Sequence, residues 1–137
     1  MNYLLDTNAA IAVLTNRQPA VRVRLKRAIA KEAVVGISSI VLHELWYGVA
    51  RSARKEENAE RLRIFLAGGI AVVEFDEEDA AAAGELRGRL ADAGTPIGPY
   101  DVLIAAQAAR REAILVTSNM SEFRRVKNLR VEDWTAR

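Results

Sequence analysis

Short apolar runs, each too brief for a helix and most followed by a capping residue and a helical stretch, recur along this chain. They constrain its fold more than any other feature. Asn2 to Leu5, Ala33 to Ile37, Ile70 to Glu74 and Ala113 to Thr117 read as strands, with Leu129 to Val131 a short fifth at an edge. Helices are predicted over Ala9 to Leu14 after the capping run Asp6-Thr7-Asn8, and from Pro19 to about Lys31. Further helices run from Ile40 to about Ser52 behind Ser38-Ser39, and from Lys55 to Leu66 before Gly68-Gly69. The last two cover Glu77 to Asp92 and, after the break Gly94-Thr95-Pro96, Pro99 to Glu112. Strands that are apolar throughout bury both faces, and strand–helix alternation builds parallel sheets. The expectation is an α/β fold with a mainly parallel four- to five-stranded sheet, in one domain spanning 1–137. In such sheets, ligands bind at the C-terminal strand ends, where strand order reverses.

Composition removes several function classes. Half of the 137 residues are hydrophobic and 28% are charged, the balance of a folded globular chain. The absence of cysteine excludes disulfides and thiolate zinc sites. No apolar run is long enough to span a bilayer, and the start lacks a signal-peptide pattern, so a cytoplasmic protein is expected. Net charge is +2, but arginines cluster at Arg22-Val23-Arg24-Leu25-Lys26-Arg27, Arg110-Arg111 and Arg124-Arg125-Val126-Lys127. Guanidinium forks match phosphate oxygens, although solvated helix faces are the commoner account of such clusters.

Three carboxylates stand in unusual places. Asp6 closes the first strand, at the sheet edge where ligands bind, and is also placed to cap the next helix. Glu44 lies within a helix whose neighbours at three and four positions are Ile40, Val41, Tyr47 and Gly48, none of them basic. A carboxylate on an apolar stripe is costly unless it meets a cation or a partner elsewhere. Asp101 lies in the first turn of an otherwise apolar helix, where the dipole favours it. Thr117-Ser118-Asn119 follows the fourth strand on the same sheet edge as Asp6, and Asn119 with Glu122 resembles a capping box. Gathered together, three carboxylates and an amide or hydroxyl offer the all-oxygen ligand set that Mg²⁺ or Mn²⁺ requires for work on a phosphodiester.

Other chemistries fit less well. His43 is the only histidine and points about 100° around the helix from Glu44, so it reads as a surface or interface residue rather than a triad member. Gly68-Gly69 lacks the Lys-Ser/Thr of a phosphate loop. Trp46, Tyr47 and Trp134 are offered as core or interface packing ahead of base stacking. A receiver-type phospho-acceptor needs an acidic pair after its first strand and a lysine after its last, and a haloacid-type phosphatase needs Asp where Asn8 stands.

The stretches Tyr3-Leu4-Leu5-Asp6-Thr7-Asn8, Ser38-Ser39-Ile40 through Glu44-Leu45-Trp46-Tyr47-Gly48, Ile97-Gly98-Pro99-Tyr100-Asp101 and Leu115-Val116-Thr117-Ser118-Asn119 with Glu122-Phe123 form an ordered set. Together with the ending Leu129-Arg130-Val131-Glu132-Asp133-Trp134, they resemble the PIN-domain family and, within it, the VapC toxins. The resemblance implies a three-layer α/β/α fold, Mg²⁺-dependent endoribonuclease activity (Mn²⁺ as an alternative), and inhibition by a cognate VapB-like antitoxin. It also implies a homodimer, and RNA as substrate, with the anticodon loop of initiator tRNA as the first candidate. The family's acidic positions carry over to Asp6, Glu44 and Asp101, with Asn119 at the fourth, commonly aspartate, position and Glu122 as the competitor for that role. The substitution at Asn119 also leaves open a PIN domain that only binds RNA or a partner.

Overall fold

The computed structural model describes residues 2–135. Its strands are β1 Tyr3–Leu5, β2 Val35–Ser38, β3 Ala71–Val73, β4 Ile114–Val116 and β5 Val131–Glu132. Every pairing is parallel, and the order is β3-β2-β1-β4-β5. From β1 the chain builds outward through β2 to β3, then returns to the other side of β1 for β4. The reversal therefore lies between β1 and β4, whose carboxyl ends carry Asp6 and Thr117. All four residues of β2 are buried, and neighbouring residues face opposite sides, so both sheet faces are covered by helices. This is the expected three-layer arrangement.

The helices are α1 Thr7–Thr15, α2 Pro19–Ala30, α3 Ser39–Ala50, α4 Lys55–Ala67, α5 Glu77–Asp92, α6 Pro99–Arg110 and α7 Met120–Phe123. Asp6 caps α1, Ser38 caps α3, and Asp76 with Asp79 forms a reciprocal capping box on α5. The core centres on Leu4, Leu5, Ile37, Ile104 and Leu115, with Phe123 and Trp134 sealing one end. Each such side chain contributes about 1.5–3 kcal/mol of burial.

Three sequence expectations need correction. The edge strand sits at Val131–Glu132, slightly beyond the expected 129–131. The short α7 was not foreseen. Arg110 and Arg111, read as a polyanion-binding cluster or a solvated face, are instead occupied within the protein. Asp79, with no exposed surface, accepts from Arg110 Nε at 2.7 Å, Arg111 Nη2 at 3.0 Å and Gln107 Nε2 at 3.1 Å. Gln107 also donates to the Glu74 carbonyl at 3.0 Å, so the cluster ties α5, α6 and the segment after β3 together.

Burial works to raise the Asp79 carboxyl. Arg111, the Asp76 N–H and Arg110 outweigh it and hold the group down at about 2, against an ordinary 3.8. A depressed carboxylate contributes stability above its unfolded value and loses it as pH falls through the folded one. Urea denaturation should therefore show about 2 kcal/mol lost between pH 4 and pH 2 from this group. An Asp79→Asn variant is expected to be less stable at neutral pH and to show less of that acid-linked loss.

Candidate active site

Asp6 is the first residue beyond β1, and its own N–H bonds to the Val116 carbonyl of β4 at 3.0 Å, so it straddles the reversal point. Its extended backbone (φ −76°, ψ 176°) turns the carboxylate onto the start of α1, where Oδ1 accepts from Ala9 N at 2.8 Å. The capping and site roles proposed for Asp6 thus coincide. With 4% exposure, Asp6 has a carboxyl raised by burial, opposed by the Thr117 hydroxyl and the Ala9 N–H, and raised further by the charges of Glu44 and Asp133.

Ser38 accepts from Ile40 N at 3.0 Å and thereby starts α3, which carries Glu44 toward Asp6. Glu44 is half-buried and accepts from Thr7 Oγ1 at 2.8 Å. That partner, 37 positions away, is the one the sequence could not supply from Glu44's helical neighbours. Asp101 enters from α6, whose first turn is built by Pro99.

The α6 cap, Gly98, has no side chain to satisfy the helix start; instead its own N–H donates to Glu122 Oε1 at 2.7 Å. The anticipated Asn119–Glu122 capping box does not form. Asn119 makes no side-chain cap, and its Nδ2 donates to Glu122 Oε2 while its own N–H donates to Thr117 Oγ1 at 3.0 Å. Glu122 is therefore fixed from both sides, between α7 and the start of α6. Its carboxyl is lowered first by the Gly98 N–H, against burial, and then by Asp101, Asn119 and Arg125.

Asp101 feels the whole assembly. Burial, then the charge and hydrogen bond of Glu122, then Asp6 and Glu44 push its carboxyl up to about 7. Every major influence on Asp101 raises it, so this carboxyl sits among like charges with no cation among its main partners, while Arg125 acts on Glu122 alone. The structure thus brings Asp6, Glu44, Asp101 and Glu122 together, with Asn119 and Thr117 as supports. His43 is exposed and Trp134 buried, while Tyr47 lies open to solvent, which leaves of its core-or-interface expectation only the interface.

Among the described residues, no three His, Cys, Asp or Glu side chains stand grouped to enclose a metal ion. Mg²⁺ does not require such a cage, because it takes one or two protein carboxylates and completes its shell with water and substrate phosphate. An all-oxygen donor set in which Asp6 and Asp101 have no cation among their main partners fits that requirement.

These features can be compared with known proteins. A PIN-domain profile matches residues 3–129. The chain belongs to the PIN-domain family. Ribonuclease VapC2 of Rickettsia felis is 41% identical over 98% of both chains, and the tRNA(fMet)-specific endonuclease VapC of Salmonella typhimurium is 37% identical over 98% of both. Among solved structures, VapBC2 from Rickettsia felis bound to a fragment of promoter DNA superposes with a TM-score of 0.91 at 39% identity, covering 98% of this chain and 99% of that one. DNA-bound VapBC from Salmonella typhimurium gives 0.90 at 36%, covering 98% of each chain. This PIN domain shares their fold end to end.

Gly98 is the tightest point of the site. A Cβ there would lie 3.1 Å from Asp101 Oδ2 and 3.5 Å from Glu122 Oε1. Gly98→Ala is expected to displace the carboxylate pair and reduce RNA cleavage by about tenfold or more, since small misplacements of reacting groups are expensive. Its melting temperature should be unchanged, which differential scanning calorimetry alongside a cleavage assay will check.

Proposed function

We propose that this PIN domain is the ribonuclease toxin of a toxin–antitoxin pair, a Mg²⁺-dependent endoribonuclease that hydrolyses a phosphodiester bond of tRNA. The observation that carries the reading is the convergence of Asp6, Glu44, Asp101 and Glu122 at the carboxyl ends of β1 and β4. The Salmonella relative's name, tRNA(fMet)-specific endonuclease, makes the anticodon loop of initiator tRNA the first substrate to try.

Asp6, Glu44 and Asp101 are the groups assigned to hold the cation, and Glu122 supplies the fourth carboxylate. Asn119, the expected fourth ligand, is assigned the positioning of Glu122 through its amide. A binding-only PIN domain is disfavoured on this reading, because the acidic group missing at 119 is replaced in space by Glu122. When bound, a divalent cation supplies the positive charge that a phosphodiester and its attacking water need. Asp6 is held by Ala9 and Glu44 by Thr7, so neither carboxylate must reorganise when substrate arrives. Asp101, raised to about 7 while the cation is absent, must give up its proton for the cation to bind, so binding should strengthen as pH rises through 7.

The antitoxin reading has its own surface. Ile11, Leu14, Leu45, Val49 and Leu62 line an apolar groove between α1, α3 and α4, with Glu44 and Arg61 at its margin. A VapB-like segment is proposed to lay apolar side chains there and to bring an Arg or Lys to the carboxylates. Solved relatives are complexes named VapBC, which supports such a partner. A homodimer of this chain remains part of the proposal, and a tRNA substrate places the activity in the cytoplasm.

Incubation with total RNA and Mg²⁺, followed by end-mapping, tests the function. Asp6→Asn, Glu44→Gln and Asp101→Asn should each abolish cleavage while holding or raising apo-protein stability, because each relieves like-charge repulsion. Unfolding of all three would point to a structural role instead. For the fourth position, Glu122→Gln should be nearly as damaging as Asp101→Asn, with Asn119→Ala milder and Asn119→Asp worse than Asn119→Ala, because a carboxylate at 119 cannot donate to Glu122 and repels it. If Asn119→Ala proves more damaging than Glu122→Gln, Asn119 is the ligand and Glu122 its support.

A further inference from the structure

The acidic site has two unlike flanks. On one side Glu44 borders the aliphatic groove between α1, α3 and α4. On the other, the residues that immediately precede two of the acids turn to the surface and meet. His43 and Tyr100 lie with ring centroids 6.1 Å apart, tilted by 58°. Tyr100 is 46% exposed and Tyr47 62% exposed, and His43 and Arg51 are exposed as well. His43, Tyr47 and Arg51 recur at intervals of four on α3 and its C-terminal cap, so they stand in one row about 12 Å long.

Contiguous exposed rings mark a contact surface, and the chemistry of this row narrows the occupant. An aliphatic helix from a protein partner is better served by the groove, which offers Ile, Leu and Val. The row instead offers π-faces with polar edges and ends in a guanidinium, a combination suited to nucleobases and a phosphate. It begins beside Glu44 and Asp101, where the backbone of a substrate being cut would lie.

We propose that His43, Tyr47 and Arg51 of α3, with Tyr100 of α6, form a stacking platform for the bases of a single-stranded RNA segment next to the cut. The inference rests on the nuclease reading above and deepens it by naming what holds the substrate. Stacking is tolerant of sequence, so the platform selects unpaired RNA over duplex rather than one base over another.

The test uses the full chain carrying Asp6→Asn, so that RNA is bound without being cut, and measures anisotropy of a fluorescent oligoadenylate against a fully paired RNA duplex. The single strand should bind more tightly. Tyr100→Ala and Tyr47→Ala should each weaken it by about tenfold, and Tyr100→Phe and Tyr47→Phe should restore it, because the ring rather than the hydroxyl does the stacking. In the chain with Asp6 intact, the same alanine variants should raise KM for RNA with little change in kcat. Unchanged affinity in both alanine variants, or preference for the duplex, overturns the platform while leaving the acidic site standing. A change of oligomeric state in those variants by light scattering also overturns it, making the row an interface between copies. Failure of the Asp6-intact chain to cut any RNA overturns the nuclease reading itself.

Discussion

Carboxylates repel one another, and burial makes that repulsion worse. The architecture of this PIN domain is organised around holding four of them together regardless. The means are local and cheap. Two backbone N–H groups at helix starts, Ala9 and Gly98, each take a carboxylate oxygen. The Thr7 hydroxyl donates to Glu44, the Thr117 hydroxyl joins Ala9 in lowering Asp6, and the Asn119 amide donates to Glu122, which leaves Asp101 the most raised of the four. No lysine or arginine ranks among the main influences on Asp6 or Asp101. A divalent cation from solution would meet oxygen donors already set in place, which suits the shell of few protein carboxylates, water and phosphate that Mg²⁺ takes.

Helix α6 shows how the rest of the fold serves that arrangement. Its N-terminal turn delivers Asp101 to the acidic site, and its C-terminal end is gripped by Asp79 through Arg110 and Arg111. Between the two, Ile104 and Ala105 are fully buried, and Gln107 reaches the carbonyl of Glu74. The Asp79–Arg110–Arg111 cluster thus lies at the opposite end of α6 from Asp101. Placing the arginines there keeps them from neutralising the site, while their ion pairs fix the helix that aims Asp101. Stability and function draw on the same helix at different ends.

The sequence revealed the architecture through alternation and singled out Asp6, Glu44 and Asp101, which the fold brings near one another, through misplaced charge. What escaped it did so for physical reasons. Helices α2 and α6 are stopped by Glu32 and Glu112, the residues just past their caps, with φ of 62° and 55° where glycine is the usual signal, so their ends were expected one or two residues late. The partner of Glu44 lies far along the chain, and no local spacing announces a Thr7 hydroxyl. Glu122 looked like half of a capping box because Asn119 stands three positions before it. Only the fold reveals that its carboxylate serves another helix, α6, across a gap of 24 residues. Arg110 and Arg111 looked available to phosphate because Asp79, which holds them, lies 31 or more positions away. Local periodicity exposes elements and oddly placed charges, whereas pairings across elements emerge only when the sheet order brings them together.

The same helical geometry explains why an acidic site of this kind acquires a rim of different character. Consecutive residues on a helix point about 100° apart, so a position that aims a carboxylate inward aims its neighbour sideways toward the surface. Glu44 and Asp101 therefore commit His43 and Tyr100 to the margin of the site, and because α3 and α6 converge there, the two neighbours meet each other. Position 47, one turn beyond His43, extends the margin, while position 48 on the Glu44 stripe is glycine, with nothing within 4 Å of where a Cβ would stand. Both Glu44 and Gly48 line the aliphatic groove, so the Glu44 stripe borders that flank. One helix thus presents an acid, an aliphatic slope and an aromatic row within two turns. On the proposed reading, inhibitor and substrate approach the same carboxylates from different sides.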